Sequence, residues 1–437
     1  MRNRQMKELL QGVRGKKTVV VGAGVSGVAA ARLLDRKGAY VRLLDRQGKG
    51  FEELRQEPVS QDWDLRSGEH HTGDFADAEL VVLSPGIPRA VLALIPSGVP
   101  ITSELELAAA FVREPVIAVT GTNGKTTTVS MISHILGRCG KKVFTGGNIG
   151  LPLSEYILAG QKCDILVLEL SSFQLQYLAF FQPQVAILLN FSPNHLDYHQ
   201  DLEQYFQAKI NLFRYMDKSG LALFSQELQQ EVASLPLPEC KKVYYGKMYS
   251  GLNGVLSAEH NRANAQAASL AVEFFGITEK QVRAALSTFV PAAHRYEKFL
   301  EVGGICFIND SKATTLTALE AALNSTPAPV RLLVGGKFKG GDPCALRELI
   351  QSKVARVYLF GDSREIFEAA WQRICPLSWY PELAGAVEAA CSDAACGDSV
   401  LLSPATASFD LFSDYQERGE TFKRLVKEKM AEARQES

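Results

Sequence analysis

The sequence has little of what marks a secreted, membrane-bound or nucleic-acid-coating protein. Its eight cysteines are scattered, with no C-x-x-C pair, and the nearest two, Cys391 and Cys396, lack histidine or cysteine companions at zinc-like spacing. They read as thiols of a reducing compartment. No apolar run approaches the roughly 20 residues of a membrane span. Residues 1–17, MRNRQMKELLQGVRGKK, contain no apolar core of a signal peptide. Neither sign of charge dominates: 47 Lys and Arg against 48 Asp and Glu leave −1, which argues against binding to nucleic acid or to a membrane surface. No sequence repeat stands out. The expectation is a cytoplasmic, soluble chain, and a monomer.

What is present suits several packed cores. Of 437 residues, 46% are hydrophobic and 22% charged, and the length corresponds to about three domains. The most informative stretch is Pro115 to Leu136, PVIAVTGTNGKTTTVSMISHIL. An apolar run, Val116 to Val119, reads as a buried strand. It turns through Gly121, Thr122, Asn123, Gly124, Lys125, Thr126 and Thr127 into a helix with Val129, Ile132, Ser133 and Leu136 on one face. Strand, glycine turn, Lys-Thr and helix form a phosphate-binding layout. Backbone N–H groups converge on an anion, Lys125 reaches the β/γ-phosphates and the Thr126 hydroxyl can ligate Mg²⁺. Val119 stands where the general G-x-x-x-x-G-K-[ST] pattern has its first glycine.

A second glycine turn lies earlier. The run Thr18 to Val21 enters Gly22-Ala-Gly24-Val25-Ser26-Gly27, and a second strand, Tyr40 to Leu44, ends at Asp45. This is the dinucleotide-fold fingerprint, a diphosphate cradle that a dinucleotide or another nucleoside diphosphate can occupy. Leu80 to Leu83 runs into Ser84-Pro85-Gly86, either a ligand-side turn or a plain strand end. Ser103 to Val112 reads as a helix with Ser103 as N-cap and Glu106 three residues on, linking the first domain to the second.

Further along, Lys141 to Thr145 reads as a strand leading to Asn148, and Asp164 to Leu168 as one that ends at Glu169. A carboxylate closing an apolar strand needs a partner. Beside a phosphate loop its natural role is a Mg²⁺ ligand. Strand Val185 to Leu189 precedes Asn190 and a loop with His195, Asp197 and His199. The histidines can join a metal or phosphate site, or act as caps, and His199 alone reads as a surface residue. Lys209 lies in a helix, Leu202 to Phe213, as an ordinary helical lysine. Asn261 and Asn264 stand one turn apart on an alanine-rich helix, suited to a base edge or to capping.

The last third begins near Pro291. Arg295 precedes a strand at Cys306 to Ile308 that runs into Asn309-Asp310-Ser311-Lys312-Ala313-Thr314. Val330 to Val334 leads to Gly335-Gly336-Lys337, an anion clamp or a surface loop. Val400 to Leu402 leads to Ser403-Pro-Ala-Thr-Ala-Ser408-Phe-Asp410. From Glu420 the tail is an amphipathic helix whose stripe of Phe422, Leu425, Val426 and Met430 is core packing. Each third repeats apolar strand, glycine turn and helix. The fold class is therefore α/β with three domains, each a mainly parallel sheet with helices. Sites on three domains suggest an enzyme that joins substrates between them.

GTNGKTT at 121–127, ELSSFQL at 169–175, Asn194-His195-Leu-Asp197, Asn309-Asp310-Ser-Lys312-Ala-Thr314 and SPATASFD at 403–410 together resemble the Mur ligase family, and within it the D-glutamate-adding branch. The resemblance covers nearly the whole chain, and the family's loop form lacks the first Walker glycine. The DNPR stretch of the diaminopimelate- or lysine-adding branch is absent. The resemblance implies a Rossmann-like UDP-substrate domain at 1–112, a P-loop ATPase-like domain at 113–291 and a Rossmann-like amino-acid domain at 292–437. It implies ATP and Mg²⁺, with UDP-N-acetylmuramoyl-L-alanine and D-glutamate as substrates.

Carried over by position, the resemblance gives Lys125, His195 and Lys209 catalytic roles. Thr126, Glu169, His195 and Lys209, the last as a carbamate, become metal ligands. Residues 121–127 with Asn261, Asn264, Arg295 and Asp310 become ATP contacts. Val25, Ser26, Asp45, Arg46, Ser84, Asn148 and His195 fall to the UDP substrate, and Thr314, Lys337, Ser408 and Tyr415 to D-glutamate. Three other readings compete. A related amide ligase with another acceptor is distinguished by the Lys337, Thr314 and Ser408 pocket. A nicotinamide-dependent oxidoreductase leaves the phosphate loop, Glu169 and the last domain without a purpose. A nucleotide sensor has no use for two metal positions.

Overall fold

Short apolar runs that end at glycine or a small polar residue become the strands of three sheets. The computed structural model describes residues 2–48, 50–56, 62–194, 198–246, 249–252 and 259–435, with side chains from residue 4 to 432. The first sheet comprises β1 (Lys17–Val21), β2 (Tyr40–Asp45), β3 (Asp64–Ser67), β4 (Leu80–Leu83) and β5 (Ile101–Ser103), in the order β3-β2-β1-β4-β5, all parallel. The second comprises β6 (Val116–Thr120), β7 (Val143–Gly147), β8 (Ile165–Glu169), β9 (Val185–Leu188), β10 (Leu221–Ser225) and β11 (Lys241–Tyr245), in the order β11-β10-β9-β6-β8-β7, also parallel. The third comprises β12 (Glu297–Val302), β13 (Ile305–Asn309), β14 (Val330–Gly335), β15 (Val354–Phe360), β16 (Leu377–Tyr380) and β17 (Ser399–Leu402), in the order β12-β13-β17-β14-β15-β16. Only β12 runs antiparallel there. Three mainly parallel α/β sheets are what the repeated plan of strand, turn and helix implied.

Parallel sheets are covered on both faces, so their strands are apolar throughout. Residues β4, β6, β8, β9 and β10 are buried along their whole length. The chain divides into two compact units. One is Met1–Phe191 with Tyr198–Ser250 and Ala263–Phe289; the other is Val290–Ser437 with Ser192–Asp197 and Gly251–Arg262. In the first unit a continuous core runs from Leu10 through Leu107 and Leu168 to Val232, spanning both sheets. In the second, one core lies on each face of the third sheet.

The helix expected at 103–112 is shorter, Glu104–Ala109, and binds the first two sheets together. Ser103 caps it, its Oγ accepting from the Glu106 N–H at 3.3 Å. The Glu106 carboxylate does not return to complete a capping box. It accepts from the N–H groups of Ala179 and Phe180 at 2.8 and 2.5 Å, while Glu104 accepts from the Ser154 N–H at 2.6 Å. Burial pushes both carboxyls up to about 7, although these donors oppose it. Two other boundaries move. The strand expected from Lys141 begins at Val143, and the last helix is Tyr415–Gln435, five residues earlier than Glu420. Its stripe packs as expected, with Phe422 and Val426 fully buried. Among the described residues, no helix is long and apolar enough to cross a membrane.

Candidate active site

In the second sheet the chain leaves β6 for one edge and returns on the other side to β9. The turns after these two adjacent strands therefore face each other at a switch point, where open α/β sheets place ligands. The turn after β6 is the phosphate loop. Gly124 is the N-cap of the helix Lys125–Arg138, with φ of +81°, a left-handed conformation that side chains disfavour. A Cβ there would stand 2.5 Å from Asn264 Oδ1, so the loop and Asn264 are in direct contact. The turn after β9 supplies Asn190, a residue that sequence reasoning passed over. Its Oδ1 accepts from the N–H groups of Thr122 and Asn123 at 3.1 and 2.8 Å, and its Nδ2 donates to the Asn123 carbonyl at 3.1 Å. The signal was an amide at the end of a strand next to the loop strand. Lys125 Nζ donates to the carbonyls of Gly121 and Thr122, both at 2.8 Å, which sets its charge over the loop. Thr127 is half-buried in the first helical turn.

Glu169, buried at the end of β8, lies beside this loop. The Thr126 hydroxyl donates to its Oε2 at 2.5 Å and the Asn148 amide to its Oε1 at 2.9 Å. A carboxylate, a hydroxyl and an amide thus meet at the helix N-terminus. Lys209 is 1% exposed. Its Nζ donates to the Gly121 carbonyl at 2.9 Å and lies 4.5 Å from the centre of the Tyr205 ring. Burial, then the nearby charge of Lys125, holds its pKa well below the ordinary lysine value. What looked like a routine helical lysine is a buried amine against the phosphate loop.

His195 and Asp197 lie outside the described residues. His199 corrects the sequence reading: it is buried, not a surface residue. Its Nε2 is 3.0 Å from Ser172 Oγ, and its ring stacks on Phe173 and packs on Tyr205. Tyr205 in turn approaches Thr122 through its hydroxyl, at 3.4 Å. His199 therefore supports the layer beneath Lys209 and the loop. Asn261 and Asn264 are both buried on the helix Glu259–Glu273.

In the first sheet the glycine fingerprint is built for close approach. A Cβ on Gly27 would fall 1.8 Å from the Gly22 carbonyl oxygen. Ser84 donates its hydroxyl to that same carbonyl at 2.8 Å, pinning the turn after β4 to the turn after β1. Asp45 is partly buried, which raises its pKa. The N–H groups of Ala23, Gln47 and Gly48 outweigh this and hold it below the usual carboxylate range. Val25 is exposed, Ser26 half-buried, and Arg46 is at the surface 3.6 Å from Glu69.

The third sheet gathers its candidates on the turns after β13, β14 and β17. Asp310 Oδ1 accepts from the Tyr296 N–H at 3.0 Å and Oδ2 from the Ser403 hydroxyl at 3.1 Å. Burial raises its carboxyl to about 7, against these donors and the charge of Arg295. His294 and Tyr296, on either side of Arg295, have φ of 63° and 47°, and Ala405 has 59°. Such non-glycine backbone is held only where its surroundings enforce it, and it concentrates at functional sites. Lys337 and Ala407 exchange two backbone hydrogen bonds at 2.9 Å, which places exposed Lys337 beside buried Ser408. The Ala405 N–H donates to the Ala313 carbonyl at 2.9 Å, so the turn with Thr314 joins them. The Tyr415 ring lies 3.6 Å from Lys312 Nζ.

Arg418, also missed in the sequence, ties these turns together. It is fully buried. Its guanidinium donates to Ser311 Oγ and the carbonyls of Ser311, Gly335, Thr406 and Ala407 at 2.8–3.3 Å. Burial lowers its pKa to about 10, opposed by Asp410. Its sequence signal was phase: Arg418 stands one turn before Phe422 on the buried stripe.

With this geometry established, the chain matches known families along most of its length. Residues 16–102 match the MurD-like N-terminal domain, 119–286 the Mur ligase middle domain and 294–406 the Mur ligase glutamate ligase domain. The UDP-N-acetylmuramoylalanine–D-glutamate ligase of Desulfovibrio desulfuricans is 47% identical over 422 residues, covering 94% of this chain and 96% of its own. That of Nitratidesulfovibrio vulgaris is 47% identical over 426 residues, covering 96% and 98%. A crystal structure of MurF ligase from Thermotoga maritima in complex with ADP has the same fold, with a TM-score of 0.62 at 17% identity over 97% of each chain.

Proposed function

The chain belongs to the Mur ligase family, and from that premise we propose that it joins D-glutamate to UDP-N-acetylmuramoyl-L-alanine at the expense of ATP, a step of peptidoglycan precursor synthesis in the cytoplasm. Relatives with that activity in their name match over nearly full length. The observation that carries the site reading is the meeting of Lys125, Thr126, Glu169 and the buried Lys209 around one glycine turn.

In this reading residues 1–112 hold the UDP substrate through Val25, Ser26, Asp45, Arg46 and Ser84, with Asn148 and His195 of the central domain. Residues 113–291 bind ATP on 121–127 with Asn261 and Asn264, joined by Arg295 and Asp310 of the last domain. Residues 292–437 bind D-glutamate through Thr314, Lys337, Ser408 and Tyr415, and the protein acts as a monomer. Mg²⁺ fits the donors present: Thr126 and Glu169 offer hard oxygens 2.5 Å apart, and this ion is commonly held by one or two carboxylates together with phosphate oxygens. When bound it would neutralise charge on the phosphates. His195 would sit at a second Mg²⁺, and a carbamate of Lys209 would serve as a further, anionic metal ligand. A carbamate forms when an uncharged amine attacks carbon dioxide and releases a proton, and burial shifts the Lys209 amine toward its uncharged form.

The chain's own residues then account for the chemistry. Loop N–H groups and Lys125 stabilise charge on the phosphoryl group as the substrate carboxylate attacks it, giving an acyl phosphate. The Lys337 charge orients the D-glutamate side chain, so that its amine displaces phosphate and forms the amide. The test is phosphate release from ATP with Mg²⁺, UDP-N-acetylmuramoyl-L-alanine and a panel of amino acids. Release that requires D-glutamate, with a new UDP-linked dipeptide by mass, is expected. Release with a different amino acid would overturn the acceptor assignment, and no release with any would overturn the ligase reading.

A further inference from the structure

The phosphate loop and Asn190 follow the carboxyl ends of β6 and β9. At the opposite ends of the same strands, walled by Val116 and Gln184, lies a cavity of about 590 Å³ that this chemistry does not use. Lys7, Arg113 and Arg214 line it together with the rings of Phe180, Phe181 and Tyr215. A second cavity of about 440 Å³ shares Lys7 and Arg113 and adds Lys37 and Lys162. Glu114 is the one carboxylate lining either. Among the described residues, Lys7, Arg113 and Arg214 have no carboxylate within ion-pair distance. Two ammonium groups are instead held over rings, Lys7 6.0 Å from Phe180 and Lys37 4.0 Å from Phe111.

A chain of net charge −1 thus concentrates positive charge around one hollow, an arrangement that repels itself until an anion enters. Guanidinium forks match phosphate oxygens and stack on planar groups. The volume is that of a small-molecule site, and the aromatic walls suit a base. We propose that this cavity is a second binding site for a nucleoside phosphate, distinct from the phosphate loop. Its wall includes residues 112–114 and 116, on the segment that joins the helix Glu104–Ala109 to β6, so an occupant bears on the connection between the first two sheets. The expected count rests on the proposed function in one respect, that the phosphate loop takes the first ADP; exchange protection at 112–116 and 180–184, read apart from that at 121–126, distinguishes failure of the second site from failure of the first.

The experiment is equilibrium dialysis of the full chain against labelled ADP at low salt. Two ADP per chain are expected for wild type, and one for Arg113→Glu/Arg214→Glu, both exposed positions. Lys7→Gln, equally exposed, should weaken the second site at least tenfold without touching the first. Hydrogen exchange should slow on ADP binding at residues 112–116 and 180–184 in wild type and not in the double variant. One ADP per chain in wild type, or two that survive the double substitution, would overturn the proposal, and so would protection confined to 121–126.

Discussion

Replacing Asn190 with alanine isolates the contribution of loop order to nucleotide binding. Three side-chain hydrogen bonds are lost, two accepted from Thr122 and Asn123 and one donated to Asn123. Thr122 N–H also reaches the Asn190 backbone carbonyl at 3.2 Å, which any residue retains, so about two bonds count in full. At about 0.5–1.5 kcal/mol each, the loop loses about 2 kcal/mol of order, or roughly a 30-fold rise in the KM for ATP. The loop is local, so the thermal midpoint should barely move. Asn190→Asp keeps both acceptors but loses the donor and places a negative charge against the phosphates. Hydrogen exchange at 122–123 should stay near wild type while ATP binding weakens at least as much. Steady-state kinetics with ATP varied, beside hydrogen exchange, separates the two. An Asn190→Ala protein with wild-type KM for ATP would refute the reasoning.

Lys209→Met should abolish ligation, by at least 100-fold, yet raise the thermal midpoint at pH 7. The buried amine has a pKa below its unfolded value, so burial costs stability at neutral pH and the cost fades as pH rises toward 10. A variant less stable than wild type at pH 7 would count against this. Glu106 is displaced the other way, to about 7 in the folded chain. Its folded form holds a proton that the unfolded chain releases, so stability falls as pH rises from about 4.5 through 7. The effect is at most on the order of 3 kcal/mol above pH 8. Glu106→Gln should therefore gain stability relative to wild type at pH 8 and not at pH 5 in paired melts; a gain independent of pH would contradict the assignment. Arg418→Lys keeps the charge but loses the fork, and should raise the KM for D-glutamate about tenfold or more while leaving that for ATP within twofold. Equal shifts in both would show that Arg418 acts on the fold as a whole.

Much of the architecture was legible because parallel strands leave apolar runs and their turns carry glycine. The runs at 116–119, 18–21 and 80–83 became β6, β1 and β4 within one residue. Edge strands such as β3 and β16, half-polar and short, carry no such signal. At the site, Lys125, Thr126 and Glu169 could be read because their chemistry follows from position on a strand, turn and helix. Lys209 and Arg418 could not, since burial is a property of what packs around a side chain, and Arg418 sits in a helix with many other cations. Asn190 was hidden for a different reason: its importance depends on β9 lying beside β6, a fact of sheet order. Glu106 was assigned to local capping, and a neighbouring segment won the carboxylate instead.

The Arg418 guanidinium is solvated almost wholly by carbonyls and hydroxyls from three separate turns. No carboxylate lies within ion-pair distance of it among the described residues. Withdrawing any one turn would strand a cation in a dry interior, and the other two would then lose their reason to stay. The turns that carry Lys312, Lys337 and Ser408 are thereby made to order and melt as a single cooperative body, so the pocket they frame exists whole or not at all.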